Sequence, residues 1–507
     1  MLKILNRETQ KALEANAMQG IGALTEEELV EKMANAFCMQ YRRDFNIPTG
    51  SRMVIFAGPN RIGATALYSA AILAGIGYAV EAVVLSPKNE LPTVVRQAME
   101  KVRESRVPLI EVSGDFRPPK MDETTIVLDG ICGLDLPDGP FTGSLAAVCR
   151  FINSRKPVVI SLDIPSGLHA EDNTGNHFDN VIRAKHTYTF HGPKLAFLFE
   201  ENAPYVGEWH LLNIGLDNGK TEKSIRHYLV EYSDMEGIIK PRKRFSNKYA
   251  YGRVLLIAGS KGMMGAAILA ARAAYRSGVG HLTLAVPEGM ANVVHTALPE
   301  ALVVEGSLPE DLASFDAIAI GPGIGKDEEA HDRVTAAVLG AKGKLILDAD
   351  ALFFLAKDSE LLEALPEGTI LTPHTGEFDR IFGPFETGSQ RIAKAEEVAR
   401  NRRLYILLKG PYTAIVTPIT PVIFNCTGNP GLATAGTGDV LTGMVLAGAG
   451  KGIGAFEICL TSAFIHGYAA DLYCTDFQAE SLMASDIADY LPRAMKPFAE
   501  EPFTPIY

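Results

Sequence analysis

The sequence predicts an α/β protein of two successive parallel-sheet domains, and three observations carry that expectation. Its 507 residues exceed what one core holds, and chains of that length divide into two to four domains. Short apolar runs bounded by Gly, Pro or Asp alternate with helix-periodic segments almost throughout, the pattern of parallel strands covered on both faces. The alternation lapses once, in a polar, charged stretch ending in PRKRFSNK, which reads as a linker. A first domain over residues 1–220, a linker over 221–244 and a second domain over 245–507 follow.

In chain order, MVIFAG, YAVEAVVL, TTIVLDG, PVVISLDIP and HTYTF read as buried strands of the first half. RVLLIAGS, HLTLAVP, DAIAIGPG, KLILDAD, TILTPH and YILLKG do so in the second. The terminal KPFAEEPFTPIY is proline-rich and reads as an irregular tail. No apolar run reaches the roughly 18 residues of a membrane span, and MLKILNRETQKALE is charged too early for a secretion signal. The net charge of −12 argues against a nucleic-acid partner, because neutralising phosphates needs a basic face. Six cysteines without a C-x-x-C pair read as buried free thiols of a reducing, cytoplasmic protein.

The most informative stretch is GNPGLATAGTGDVLTGMVLAGAG from Gly428. A small flexible turn, Ala435-Gly436-Thr437-Gly438, opens an apolar helix whose unpaired amides suit an anion. Asp439 stands at its mouth as either a helix cap or a general base for a hydroxyl attacking a terminal phosphate. Further loops follow strands: AGSKGMMGAA, GPGIGK, LDADAL, TPHTGEF and LLKGPYTAIV. Ligands of open α/β sheets bind at such strand ends.

With these motifs in this order, and MASDIADYLP near the end, residues 245–495 resemble the ADP-dependent NAD(P)H-hydrate dehydratases, of ribokinase-like fold. The resemblance implies that Asp439 deprotonates the ring hydroxyl of the (S)-hydrate of NADH or NADPH, which is phosphorylated before phosphate leaves. It implies an anion hole of Gly436, Thr437 and Gly438. Adenine nucleotide, ADP or ATP with Mg²⁺, would lie against Lys409, Gly410, Pro411, Tyr412, Thr413 and Gly438. Ala266, Gly323, His374 and Asp439 would contact the hydrated dinucleotide. A small-molecule kinase acting on a vitamin precursor is the alternative, since a GTGD turn serves both chemistries.

In the first half, TIVLDGICGLDLPDG, PVVISLDIPSGLHAEDNTG, AKHTYTFHGPKLAFLF and YVGEWHLLNIGL resemble the NAD(P)H-hydrate epimerase domain, a Rossmann-like three-layer fold. Asp129 and Asp163 end strands and Ser166 sits in a proline-glycine turn, a pairing that suits proton transfer and cation binding or merely caps strand ends. The resemblance implies K⁺ at Asp129 and Ser166 and acid–base work for Asp129. It places substrate along Gly133, Leu134, Asp135, Leu136, Pro137, Asp138 and Gly139, with Asp163. The family loop G-P-G-N-N-G-G-D-G is altered, however: Gly58–Ala66 reads GPNRIGATA. Ile62 replaces an asparagine and has no oxygen for K⁺, Thr65 replaces the aspartate, and Ala64 and Ala66 add Cβ atoms. His191 also intrudes between Phe190 and Gly192. The expectation is a retained fold with weak or no epimerase activity, with an active site using a substitute cation ligand as the rival and a non-catalytic docking or oligomerisation module as the reading of a different class. Members of the dehydratase family commonly form homo-oligomers.

Overall fold

The computed structural model describes residues 1–20, 22–45, 51–86, 91–112, 118–216 and 225–500. The chain divides into two compact units: Lys3–His227 with Glu386–Ser389, and Met1–Leu2 with Tyr228–Phe385 and Gln390–Tyr507. Their strands are β1 (Leu2–Lys3), β2 (Arg52–Ala57), β3 (Ala79–Leu85), β4 (Leu109–Val112), β5 (Ile126–Gly130), β6 (Val158–Leu162), β7 (His186–Phe190), β8 (Glu208–Leu212) and β9 (His227–Leu229). These are followed by β10 (Arg253–Ile257), β11 (His281–Val286), β12 (Leu302–Glu305), β13 (Ala317–Ile320), β14 (Lys344–Leu347), β15 (Ile370–Leu371), β16 (Tyr405–Leu408), β17 (Ala414–Val416) and β18 (Val422–Phe424).

The N-terminal unit carries a seven-stranded sheet of order β4-β3-β2-β5-β6-β7-β8, parallel at each pairing. Because side chains alternate along a strand, Met53 and Ile55 of β2 enter one core and Val54 and Phe56 another. Both faces are thus covered, giving three layers. On one face lies the helix Glu26–Asp44, whose Leu29, Val30, Met33, Ala34, Phe37 and Tyr41 are buried at helical spacing. Thr25 and Glu28 close its start with a reciprocal capping box.

The order reverses between β2 and β5, so the loop after β2 opens at the topological switch point. The loop is short: Asn60 ends it by accepting from the Gly63 amide at 2.9 Å, and the helix Arg61–Gly75 begins immediately. The Asn60 amide also donates to the Ile131 carbonyl at 2.7 Å, tying the loops after β2 and β5 together. Asn60→Ala should therefore cost about 1–2 kcal/mol, read as a lower denaturant midpoint at unchanged slope.

The C-terminal unit's sheet runs β1-β9-β18-β17-β16-β15-β14-β13-β10-β11-β12. From β12 to β16 the pairings are parallel, but β16, β17 and β18 pair antiparallel. The expectation of purely parallel sheets fails here, because the short Lys409–Thr413 turn returns the chain as a hairpin and leaves no room for a crossover helix. The helix Thr437–Gly450 is buried on nearly every side, as its uniformly apolar sequence requires. Within the stretch read as a linker, 221–224 lie outside the described residues, His227–Leu229 forms β9, and Val230 and Met235 are buried.

Two other expectations are corrected. Phe498 of the terminal segment is fully buried against Tyr232, Phe464 and Tyr468, so the chain is anchored there by aromatic packing; residues 501–507 lie outside the described ones. All six cysteines are free, and Cys38, Cys132, Cys149 and Cys459 are buried, but Cys426 is exposed on the loop after β18 and Cys474 half-buried. No helix among the described residues is long and apolar enough to cross a membrane.

Candidate active site

In the C-terminal unit the switch point lies between β10 and β13, each of which sends a glycine loop outward from its carboxyl end. The loops touch: a Cβ built on Gly323 would stand 3.1 Å from the Ala266 Cβ. Next in the sheet, Asp348 directly follows β14, and a further bridge pairs His374 with Lys409 beyond β15 and β16. Residues far apart in sequence therefore line one row of strand ends.

Asp348 organises this row. Its carboxylate is buried; Oδ1 accepts from Lys409 Nζ at 2.9 Å and Oδ2 from Thr442 Oγ1 at 2.6 Å. Burial alone would push Lys409 down, but the Asp348 and Glu377 carboxylates outweigh it and hold the ammonium above its ordinary range. Asp350 opens the next helix and accepts from the Gly325 amide at 3.1 Å.

The helix Thr437–Gly450 points its first turn into this row. Gly436 precedes it with φ +93° and no side-chain cap, so the first-turn amides keep their capacity for an anion. A side chain at Gly436 would be strained, and its Cβ would lie 2.7 Å from Leu269. His466 Nε2 donates to the Thr437 carbonyl at 2.9 Å, and burial pushes its pKa down to about 4, so a neutral imidazole braces the turn. The preceding NPG segment is held by Asp471, which accepts from Gly428 N at 2.8 Å and Asn429 Nδ2 at 3.0 Å.

Asp439 sits in that first turn, half-buried. Burial and the nearby Asp348 raise its pKa to about 6, with Lys409 opposing and Asp350 adding. It does not cap its own helix; it is a carboxylate poised near neutrality beside a lysine and an anion site, the profile of a general base. Lys409–Thr413 forms the hairpin turn, with Gly410 and Pro411 exposed and Tyr412 and Thr413 half-exposed. His374 is a helix cap: Nδ1 accepts from the Gly376 and Glu377 amides at 3.0 and 3.3 Å, and the ring is 55% exposed. Its Nε2 faces Glu377 Oε1 at 3.4 Å, so cap and carboxylate hold both edges of an otherwise exposed ring.

Sequence reasoning singled out Asp439, Gly436 and Lys409 but passed over Asp348, Thr442, His466 and Asp471. Only the two acids of LDADAL could have signalled the first; the others are unremarkable helix residues until the fold pairs them.

The N-terminal unit has a cleft of about 490 Å³ at its own switch point, lined by Gln10, Glu14, Asn60, Arg61, Ile62, Cys132, Leu134, Asp135 and Asp163 among others. Asp163 is buried and accepts from Lys194 Nζ at 2.9 Å and Gln10 Nε2 at 3.0 Å. Asp129 and Ser166 do come together, but each Asp129 oxygen already accepts two hydrogen bonds. Oδ1 takes Ser166 Oγ and Ile131 N at 2.6 and 3.2 Å; Oδ2 takes Ser161 Oγ and Ser166 N at 2.8 and 2.9 Å. Burial raises the Asp129 pKa against those bonds. As placed, this pair does not fit K⁺: its oxygens are turned to protein donors, and Ile62 adds none.

Ile62 is buried against the loop Gly133–Gly139, where a Cβ on Gly133 would stand 2.5 Å from its Cγ1. Leu134 and Leu136 are buried, whereas Asp135, Pro137, Asp138 and Gly139 are exposed. Lys11 pairs with Asp135, and Arg7 stands 3.5 Å from Asp138. Arg61 pairs with Glu14 and Glu26, which occupies the loop's charge with protein carboxylates. The intruding His191 takes φ +67° and brings Nε2 to 3.3 Å from Glu14. Burial would raise Glu14, but His191 and Arg61 outweigh it and hold the carboxyl low.

Comparison with known proteins follows the same division. The family model described as NAD(P)H-hydrate dehydratase matches residues 254–493, and that described as YjeF-related protein N-terminus matches 26–196. The bifunctional NAD(P)H-hydrate repair enzyme Nnr of Thermofilum pendens is 31% identical, over 99% of this chain and 97% of that protein. Its counterpart in Moorella thermoacetica is 32% identical, over 89% of this chain and 88% of that one. A crystal structure of the ADP/ATP-dependent NAD(P)H-hydrate dehydratase from Bacillus subtilis, co-crystallized with ATP/Mg²⁺, is 35% identical, with a TM-score of 0.45, covering 51% of this chain and 94% of that one. With relatives this similar over nearly its whole length and both domain models matched in order, the chain belongs to the bifunctional NAD(P)H-hydrate repair enzyme family.

Proposed function

We propose that the C-terminal unit dehydrates (S)-NAD(P)H-hydrate at the expense of ADP, releasing AMP and phosphate, with Asp439 as general base. The observation that carries this is Asp439 itself: a carboxylate with a pKa near 6 at an uncapped helix N-terminus, beside Lys409. Asp439 takes the proton of the ring hydroxyl as its oxygen attacks the terminal phosphoryl group of the nucleotide. Cleavage of the ring C–O bond then expels phosphate, and loss of a ring proton restores the double bond. The amides around Gly436, Thr437 and Gly438 receive the charge that builds on the transferring group. Lys409 orients the nucleotide together with the Gly410–Thr413 turn, while Ala266, Gly323 and His374 border the dinucleotide.

Asp350 supplies a hard oxygen donor at this mouth, the kind Mg²⁺ takes; the ion when bound neutralises phosphate charge. The comparisons favour this reading over a vitamin-precursor kinase. ADP-dependent recovery of NADH absorbance from the purified (S)-hydrate tests it, and stable phosphorylation of an unrelated small alcohol with no hydrate turnover would overturn it.

For the N-terminal unit we infer weak or absent epimerase turnover, because Ile62 fills the space beside Gly133 and Asp129 is saturated by protein donors. Supplying (R)-hydrate to the full-length Asp439→Asn protein isolates this step. The expected rate of (R)-to-(S) conversion is at or little above the uncatalysed one, with or without K⁺; conversion at the rate of an active epimerase of the family refutes the inference. The six free cysteines support a reducing, cytoplasmic setting, and the homo-oligomer implied by the family is checked by light scattering.

A further inference from the structure

We propose that His186, Glu208 and His210 form a binding site for a divalent transition-metal ion of the zinc class at the edge of the N-terminal sheet. The backbone alone brings them together. β8 is the edge strand, and the parallel β7–β8 register sets His186 opposite Glu208 and Tyr188 opposite His210. Residues two apart in a strand share a face, so all three side chains project from the same side.

Their donor atoms already stand at ligand spacing. His186 Nδ1 lies 3.3 Å from His210 Nε2 and 3.6 Å from Glu208 Oε2. All three atoms fall within 4.8 Å of one another. Tetrahedral ligands at about 2.0–2.1 Å from zinc are separated by about 3.4 Å, so an ion enters with little rearrangement. Two imidazoles and one carboxylate are a borderline-soft set that suits zinc, nickel or cobalt over magnesium or calcium. A fourth position remains for water.

The surroundings orient the ligands. The other ring nitrogen of His210, Nδ1, faces Asp44 Oδ2 at 3.7 Å. That carboxylate is itself fixed by Tyr188 Oη at 2.6 Å and Gln40 Nε2 at 2.8 Å. A carboxylate behind a histidine sets which nitrogen is free to ligate and strengthens it as a donor. Tyr188 stacks on His210 with centroids 4.6 Å apart, and Phe45 packs edge-on against His186 at 4.7 Å. Glu208 is 70% exposed, so the mouth is open to an entering ion. His186 and Glu208 open their strands, whereas Asp129 and Asp163 stand at the carboxyl ends of theirs; the metal site is separate from the cleft.

The test uses the untagged full-length protein, treated with chelator and dialysed, then titrated with Co²⁺ and Zn²⁺. The expected result is one Co²⁺ per chain with visible d–d absorption, displaced by one Zn²⁺, and a higher melting temperature with Zn²⁺. His186→Gln and His210→Gln should each weaken Zn²⁺ binding at least tenfold, Glu208→Gln several-fold, and Asp44→Asn about tenfold. The exposed His177 lies elsewhere in the unit, so His177→Gln should leave binding unchanged. Should a histidine variant fail to fold, the exposed Glu208→Gln and the parent's own stoichiometry still decide the matter. No Zn²⁺ uptake by the parent would leave the two imidazoles as a hydrogen-bonded pair and overturn the proposal. So would uptake that is undiminished in folded His186→Gln or His210→Gln protein, or that is unaffected by Glu208→Gln.

Discussion

Asp439→Asn is expected to lower ADP-dependent hydrate dehydration by about 10²–10⁴-fold, the usual worth of a positioned base, while ADP still binds. The amide keeps the shape of the carboxylate and leaves Gly436, the helix amides and the Lys409–Asp348 pair in place, so nucleotide-induced thermal stabilisation should persist. The parent's pH profile gives a second signature. A base must be ionised to act, and the Asp439 pKa is raised to about 6, so kcat/KM should climb with pH through about 6 and fall tenfold per unit below it.

The same shift fixes the sign of the stability change. A carboxyl whose folded pKa is raised contributes stability that is fully present below its unfolded value and lost as pH rises through its folded one. The parent thus carries a penalty above pH 6 that Asp439→Asn removes, worth roughly 1–3 kcal/mol. Denaturant titrations should show the variant as stable as the parent near pH 4 and more stable at pH 7.5. An inactive protein that is also less stable at pH 7.5 would point to damage rather than to a lost base.

The second large effect is expected at Lys194. Its side chain is fully buried, and its ammonium donates to Asp163 at 2.9 Å, Thr189 Oγ1 at 2.7 Å, and the carbonyls of Gly192 and Phe190 at 3.0 and 3.3 Å. Lys194→Met leaves the buried Asp163 charge with fewer partners, and removing one member of such a pair costs about 3–5 kcal/mol. For a unit of this size that lowers the melting temperature by roughly 10 °C. Pairing it with Asp163→Asn removes the stranded charge, so the double variant should be more stable than the sum of the singles allows. Additive losses in calorimetry would mean that packing, not charge, dominates there.

These contacts mark where local pattern stops and tertiary structure begins. Strand, glycine turn and helix were legible because each is written within about a dozen residues: apolar alternation, a break, then helical periodicity. That sufficed for two α/β units, for the Gly436–Asp439 turn and for the anomaly at Ile62. It could not show that Asn60, aligned with a glycine of the family loop, caps a helix and binds the neighbouring loop at Ile131.

The sequence by itself determined the α/β class and the chemical type of the C-terminal site, since both reside in contiguous segments whose backbone preferences are local. Tertiary structure alone decided which side chains act together. Asp348 meets Lys409 and Thr442, which lie 61 and 94 residues away, because strand order places their loops side by side. His186, Glu208 and His210 converge because one parallel register aligns them. Strand order and register are set by the burial of whole sheets, so no short window of sequence contains them.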